Sequence, residues 1–239
     1  MYSKLFFLLL VVLTIACQED STPIPESRVT WQLNISSQEE LDNFDFSSID
    51  TIKGEFSIRN TTVRDLSFLT EICITGRVDI LYNDSLRTLD GIENLSCIKT
   101  LIIRKNVNLR DIRALSNIVV SENLTIRQNE LEKAEPIIGL SSLSGEVFIG
   151  EDKLQDYSLL SNLTSVNSLI LGGTQASNLD HLSSLEKIES SLIIQANRNL
   201  VDYCGLKAAL LNSGEIKFET LQTNRYNPAS IEEIIMVCQ

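Results

Sequence analysis

A short apolar-x-apolar motif recurs nine times along this chain at intervals of 22 to 24 residues, starting at Leu33, Phe56, Val78, Leu101, Leu124, Val147, Leu169, Leu192 and Ile216. A period of that length marks a solenoid, because each unit is a single coil that cannot bury its own apolar face. In every unit a second apolar residue follows two positions on, at Ile35, Ile58, Ile80, Ile103, Ile126, Ile149, Leu171, Ile194 and Phe218. Alternate residues of a strand share a face, so each pair reads as one strand feeding a common core. Leu66 and Leu69, Ile92 and Leu95, Ile112 and Leu115, Leu160 and Leu163, and Leu182 and Leu185 form an opposite wall. The strands are therefore expected to stack as parallel rungs joined by right-handed crossovers. At a rung spacing of about 4.8 Å, the rungs make a sheet roughly 38 Å long. The predicted fold is a right-handed parallel β-helix over residues 29–239, one domain, capped at both ends by short helices.

Polar residues repeat as well. Asn83, Asn106, Asn129 and Asn197 fall at one place in the repeat, with Thr61, Asp152 and Thr174 matching them in other rungs. Side-chain amides stacked there can pair backbone groups that would otherwise be buried unsatisfied. Asp65, Asp90, Asp111, Asp156, Asp180 and Asp202 precede the second apolar set and read as caps of helical turns. At the N-terminal end, Ser37-Gln38-Glu39-Glu40 spells a capping box for a helix whose Leu41 and Phe44 cover the first rung together with Trp31. At the far end, Asn227-Pro228 offers an N-cap and an N1 proline before Ile231, Ile234 and Ile235.

The residues between the paired inward positions form an outward column: Ser57, Asp79, Ile102, Thr125, Phe148, Ile170, Ile193 and Lys217. Its middle is apolar, which solvent-facing strands usually are not. Beside it run Arg59, Arg104 and Arg127. Two accounts stay open: β-branched residues favouring the strand beneath a cover, or a recognition surface. On the second account the partner-binding residues are Ile102, Phe148, Ile170, Ile193, Arg104 and Arg127.

Composition narrows the function. Twenty basic residues against 32 acidic ones give a net charge of −12, which repels a phosphate backbone and argues against nucleic acid. The sole histidine, His181, sits between core leucines at a turn and reads as a solvent-facing neighbour of a cap. Neither G-x-S-x-G, H-E-x-x-H, a P-loop, G-x-G-x-x-G nor a calcium loop occurs. No catalytic residue, metal or cofactor is assigned, and the chain is not expected to be an enzyme. The adjacent carboxylates Glu151 and Asp152 keep a glycan-acting enzyme as the remotest alternative.

The N-terminus carries an address. Lys4 precedes an apolar run from Leu5 to Ala16, too short to cross a bilayer, which reads as an export signal over residues 1–16. Leu13-Thr14-Ile15-Ala16-Cys17 resembles the lipobox of bacterial lipoproteins, with Thr14 where Leu is usual. That resemblance implies acylation of Cys17 and a membrane anchor, followed by a tether over residues 17–28. Gln18-Glu19-Asp20 is similar to the acidic tags that carry Bacteroidota lipoproteins to the outer face of the outer membrane. With Cys17 assigned to lipid, four cysteines remain, and no C-x-x-C suggests zinc or redox work. Two disulfides are the economical reading, Cys73 with Cys97 and Cys204 with Cys238.

The stretches Val78-Asp79-Ile80-Leu81-Tyr82-Asn83, Leu89-Asp90-Gly91-Ile92-Glu93-Asn94-Leu95 and Leu192 to Leu200, with the ending Asp202-Tyr203-Cys204-Gly205-Leu206, Tyr226-Asn227-Pro228 and Cys238, carry a further likeness. Together they resemble the receptor L-domain class of leucine-rich-repeat-like β-helices found in receptor ectodomains and in surface lipoproteins of Bacteroidota. The resemblance implies binding or adhesion at a cell surface, with an extracellular protein or glycan as partner. A structural envelope component is the alternative.

Overall fold

The computed structural model describes residues 28–93, 95, 98–151, 153–220 and 223–238. They form one open, wholly parallel sheet of ten strands. The strands are β1 (Val29–Ile35), β2 (Thr51–Arg59), β3 (Cys73–Ile74), β4 (Arg77–Leu81), β5 (Ile98–Arg104), β6 (Val120–Arg127), β7 (Ser142–Gly150), β8 (Ser165–Gly172), β9 (Lys187–Gln195) and β10 (Lys217–Thr220). Apart from β3, a two-residue strand that pairs only with β2, every strand lies beside its neighbour in sequence. This order is what a coil repeated along one axis produces. Three short helices, α1 (Gln38–Asn43), α2 (Lys207–Asn212) and α3 (Ile231–Val237), lie towards the ends.

The inward columns follow the expected register. Leu33, Phe56, Val78, Leu101, Leu124, Val147, Leu169 and Leu192 pair rung to rung and are all buried, as are Ile35, Ile58, Ile80, Ile103, Ile126, Ile149, Leu171 and Ile194. The opposite wall is buried throughout, carried on tight turns such as Ser67–Leu69, Arg113–Leu115 and Ser158–Leu160. A third wall, not anticipated, comes from Leu86, Leu109, Leu154 and Leu200. Each closes a turn by donating its N–H to the carbonyl of Asn83, Asn106, Glu151 or Asn197.

The last rung departs from expectation. Phe218, not Ile216, lies opposite Leu192, and Glu219, not Lys217, continues the outward column beyond Ile193. Helix α2 lengthens the final coil and shifts its register, which periodicity alone does not reveal. Trp31 is 71% exposed and covers nothing, because the β1–β2 register breaks between Thr30 and Gln32. Leu41 and Phe44 do pack against the core.

Both ends close with the same device. Ser37 accepts from the Glu40 N–H, while the Glu40 carboxylate reaches past the cap to the N–H and hydroxyl of Ser36. Ser230, rather than Asn227, caps α3, and Glu233 reaches back to the Ala229 N–H at 2.7 Å. The Cys204–Cys238 disulfide is formed, with Cα atoms 5.3 Å apart, and ties α3 to the last turn. The expected Cys73–Cys97 bond falls on Cys97, which lies outside the described residues. Cys73 itself stands as a free, exposed thiol whose pKa is pushed up by desolvation.

Candidate functional site

A ladder of buried polar side chains runs from rung to rung. Asn60, Tyr82, Lys105, Gln128, Gly173 and Ala196 each turn the chain with positive φ, between 54° and 66°. Left-handed backbone costs an ordinary residue roughly 1–2 kcal/mol, and the residue that follows offsets it. Asn106 accepts the Asn83 N–H on its Oδ1 at 3.0 Å and donates its amide to the Ile80 carbonyl at 2.9 Å, and Asn83 and Asn197 repeat the pattern.

Two rungs break it. Glu151, not Asp152, takes the place after Asn129, and Asp152 lies outside the described residues. The Glu151 carboxylate accepts from the Asn129 N–H at 2.9 Å and from its amide at 2.6 Å. Glu151 is fully enclosed, so its carboxylate has no access to a substrate and the glycosidase pairing with Asp152 gains no support. At Thr174 the hydroxyl reaches Asn197 Oδ1 at 2.8 Å, and the buried Tyr157 hydroxyl joins it, donating to Asn197 Oδ1 at 2.9 Å and accepting from Thr174 at 3.1 Å. Burial pushes the Tyr157 pKa well up. The ladder is structural.

The acidic column is also structural, with a corrected register. Asp65, Asp111, Asp156 and Asp202 accept the N–H two residues on, at 2.8 to 3.1 Å. Thr88, beside Asp111 in the sheet direction, and Asn178, which accepts from the Asp180 N–H, hold the places expected for Asp90 and Asp180. Hydrogen bonds from the Ser67 hydroxyl and backbone lower the Asp65 pKa, and the Arg113 guanidinium lowers that of Asp111. Asp202 lies close to the sulfurs of Cys204 and Cys238, but those sulfurs are bonded to each other and the carboxylate caps the turn. His181 is exposed on the same surface, 3.8 Å from Asp156.

The outward sheet face differs in kind. Its middle column runs Ser57, Asp79, Ile102, Thr125, Phe148, Ile170, Ile193 and Glu219. From Ile102 to Ile193 the side chains are half-buried, and among the described residues no helix packs across β5 to β8. Asp79 is 6% exposed and held by Arg77, whose Nη2 donates at 3.0 Å. One flanking column is polar and engaged internally: Ser191 with Ser168 at 2.9 Å, Asn123 with Thr100 at 3.2 Å, and the Glu146 N–H with Asn123 at 2.8 Å. The other flank runs Arg59, Leu81, Arg104, Arg127, Gly150, Gly172 and Gln195.

Arg127 and Phe148 form the centre of this face. The guanidinium carbon lies 4.5 Å from the ring centroid, a cation–π stack. The ring leans over Gly150, where a Cβ would stand 3.1 Å from Phe148 Cε2, so a side chain there would push the ring aside by a few tenths of an ångström. Arg104, opposite Arg127 in the next strand, donates through Nε to Gln128 at 3.2 Å. Burial, and then the Arg104 charge, lowers the Arg127 pKa. Neither arginine has a carboxylate partner among the described residues. The six expected partner-binding residues therefore share one surface. A groove of about 520 Å³ between β1 and α1, lined by Leu33, Ile35, Glu39, Glu40 and Phe44, lies at the sheet edge instead.

No family model, curated protein or solved structure matches this chain.

Proposed function

We propose that this chain is a lipid-anchored, surface-displayed binding module of the receptor L-domain type, a right-handed parallel β-helix that holds a protein or glycan partner on its open sheet face without catalysis. The observation that carries the reading is the half-buried strip Ile102, Thr125, Phe148, Ile170 and Ile193, crossed by no helix over β5 to β8 among the described residues, on an otherwise acidic molecule. Contiguous apolar patches at a protein surface mark interaction sites when they are large. Parallel connections of this kind are right-handed in nearly all proteins, which supports the handedness. The anchor rests on Cys17, which lies outside the described residues.

Crosslinking at the surface of intact cells, read by mass spectrometry, tests the face. The wild type is expected to capture extracellular molecules, and a Phe148→Ser, Ile170→Thr, Ile193→Thr variant of normal stability to lose them. Capture of envelope neighbours alone would favour a structural component, and equal capture by the variant would move the binding surface elsewhere. For the anchor, Cys17→Ala is expected to release the protein from membranes, since stable attachment needs two or more acyl chains. Equal membrane retention would remove the lipoprotein assignment.

A further inference from the structure

The sheet face also indicates what kind of partner it takes, an inference that rests on its reading as the binding surface. Sugars are held by free hydrogen-bonding groups and by open aromatic faces. Here the uncharged side chains of the polar column are engaged within it, through Ser168 with Ser191, Thr100 with Asn123, and Asn123 with the Glu146 N–H. The aromatic ring on the apolar strip, Phe148, has one face occupied by Arg127 and an edge against Gly150. What the strip and its Arg104–Arg127 flank offer instead is aliphatic area and positive charge. Ile102, Ile170 and Ile193 suit the side chains of a protein. Arg104 and Arg127 sit on adjacent rungs in a chain with twelve surplus negative charges, yet neither has a carboxylate within reach among the described residues. Arg127 lies over the Phe148 ring and its guanidinium makes no hydrogen bond among the described residues, so its donors remain for a carboxylate, which a guanidinium can receive through two hydrogen bonds.

We propose that the partner is a protein segment whose aliphatic side chains lie on the Ile102 to Ile193 strip and whose carboxylates pair with Arg104 and Arg127. The two adjacent forks call for two carboxylates near each other, flanking an apolar stretch. Lysine at these positions would keep the charge but lose the fork.

The test selects a display library of random short peptides on the immobilised full-length protein, with polygalacturonate as the competing acidic glycan. Selected peptides are expected to be enriched in Asp or Glu beside aliphatic residues. They should bind an Arg104→Gln, Arg127→Gln variant about tenfold or more weakly, bind Arg127→Lys with intermediate strength, weaken with added salt, and resist polygalacturonate. Thermal melts alongside confirm that the variants are folded. Peptides without acidic enrichment, or a library that yields no binder, would overturn the proposal. So would competition by polygalacturonate that depends on the same arginines. Binding lost in Ile170→Thr, Ile193→Thr but kept in the arginine variant would overturn the acidic partner while leaving the sheet face as binding surface. Binding insensitive to both variants would overturn both.

Discussion

Asn129 holds the carboxylate of Glu151 from two sides, with its backbone N–H at 2.9 Å and its side-chain amide at 2.6 Å, in a site closed to solvent. Here a longer acceptor takes the place that Asn83, Asn106, Asn129 and Asn197 hold in their own rungs. Gly150 does not adopt the left-handed turn that precedes Asn83, Asn106, Asn129 and Asn197.

Glu151→Ala should leave the Asn129 backbone N–H and one of its amide hydrogens unpaired in the core, while the amide keeps its bond to the Ile103 carbonyl. Each orphaned group costs about 1–3 kcal/mol, so a loss of about 2–5 kcal/mol is expected in denaturant unfolding. Glu151→Gln, which keeps an acceptor of the same length, should lose less. Equal stability of the alanine variant and wild type would show that the ladder tolerates a gap there.

Inward and outward neighbours on one strand should separate cleanly. Ile149→Ala or Leu171→Ala opens a cavity in a closed core and is expected to cost about 2–5 kcal/mol. Phe148→Ser or Ile170→Thr, one residue away and half-buried, should cost about 1 kcal/mol. Comparable losses on both faces, measured by thermal unfolding, would mean that the outward column is covered core.

The cysteines predict opposite chemistry. Cys204→Ser with Cys238→Ser releases a loop of sequence separation 34, with an expected loss of about 4 kcal/mol by loop entropy. Cys73 should be alkylated by iodoacetamide in the native, unreduced protein, the more so as pH rises, because desolvation raises its pKa and thins its thiolate near neutrality. A non-reduced peptide map showing Cys73 joined to Cys97 would contradict this.

Acid should loosen the turns. The folded pKa values of Asp65 and Asp111 lie below their ordinary 3.8. Their caps therefore contribute fully above the unfolded carboxylate range and are lost as pH falls through the lowered folded values. Asp65→Asn and Asp111→Asn should lower the melting temperature at pH 7 and have a smaller effect once the wild-type carboxylates are protonated. The same deficit at both pH values would assign the column to shape rather than charge.

The spacing of Leu33 to Leu192, of their partners two residues on and of the opposing apolar set sufficed to place the sheet, its parallel rungs and two of its walls. A repeated sequence unit restates one local environment, so each rung carries the same instruction and errors do not accumulate. What the sequence left unread lies where that repetition fails. The register of β10 depends on how α2 packs. Ser230 caps α3 although Asn227-Pro228 spells a cap nearby. Thr88 and Asn178, rather than Asp90 and Asp180, sit over the turns because the backbone fixes which residue lies two before the free N–H. Glu151 enters the ladder only because its longer side chain reaches Asn129 from an altered corner. The outward column was legible as a row of residues. Its exposure was not, because alternation assigns a side chain to a face and only the tertiary structure decides whether anything packs against it.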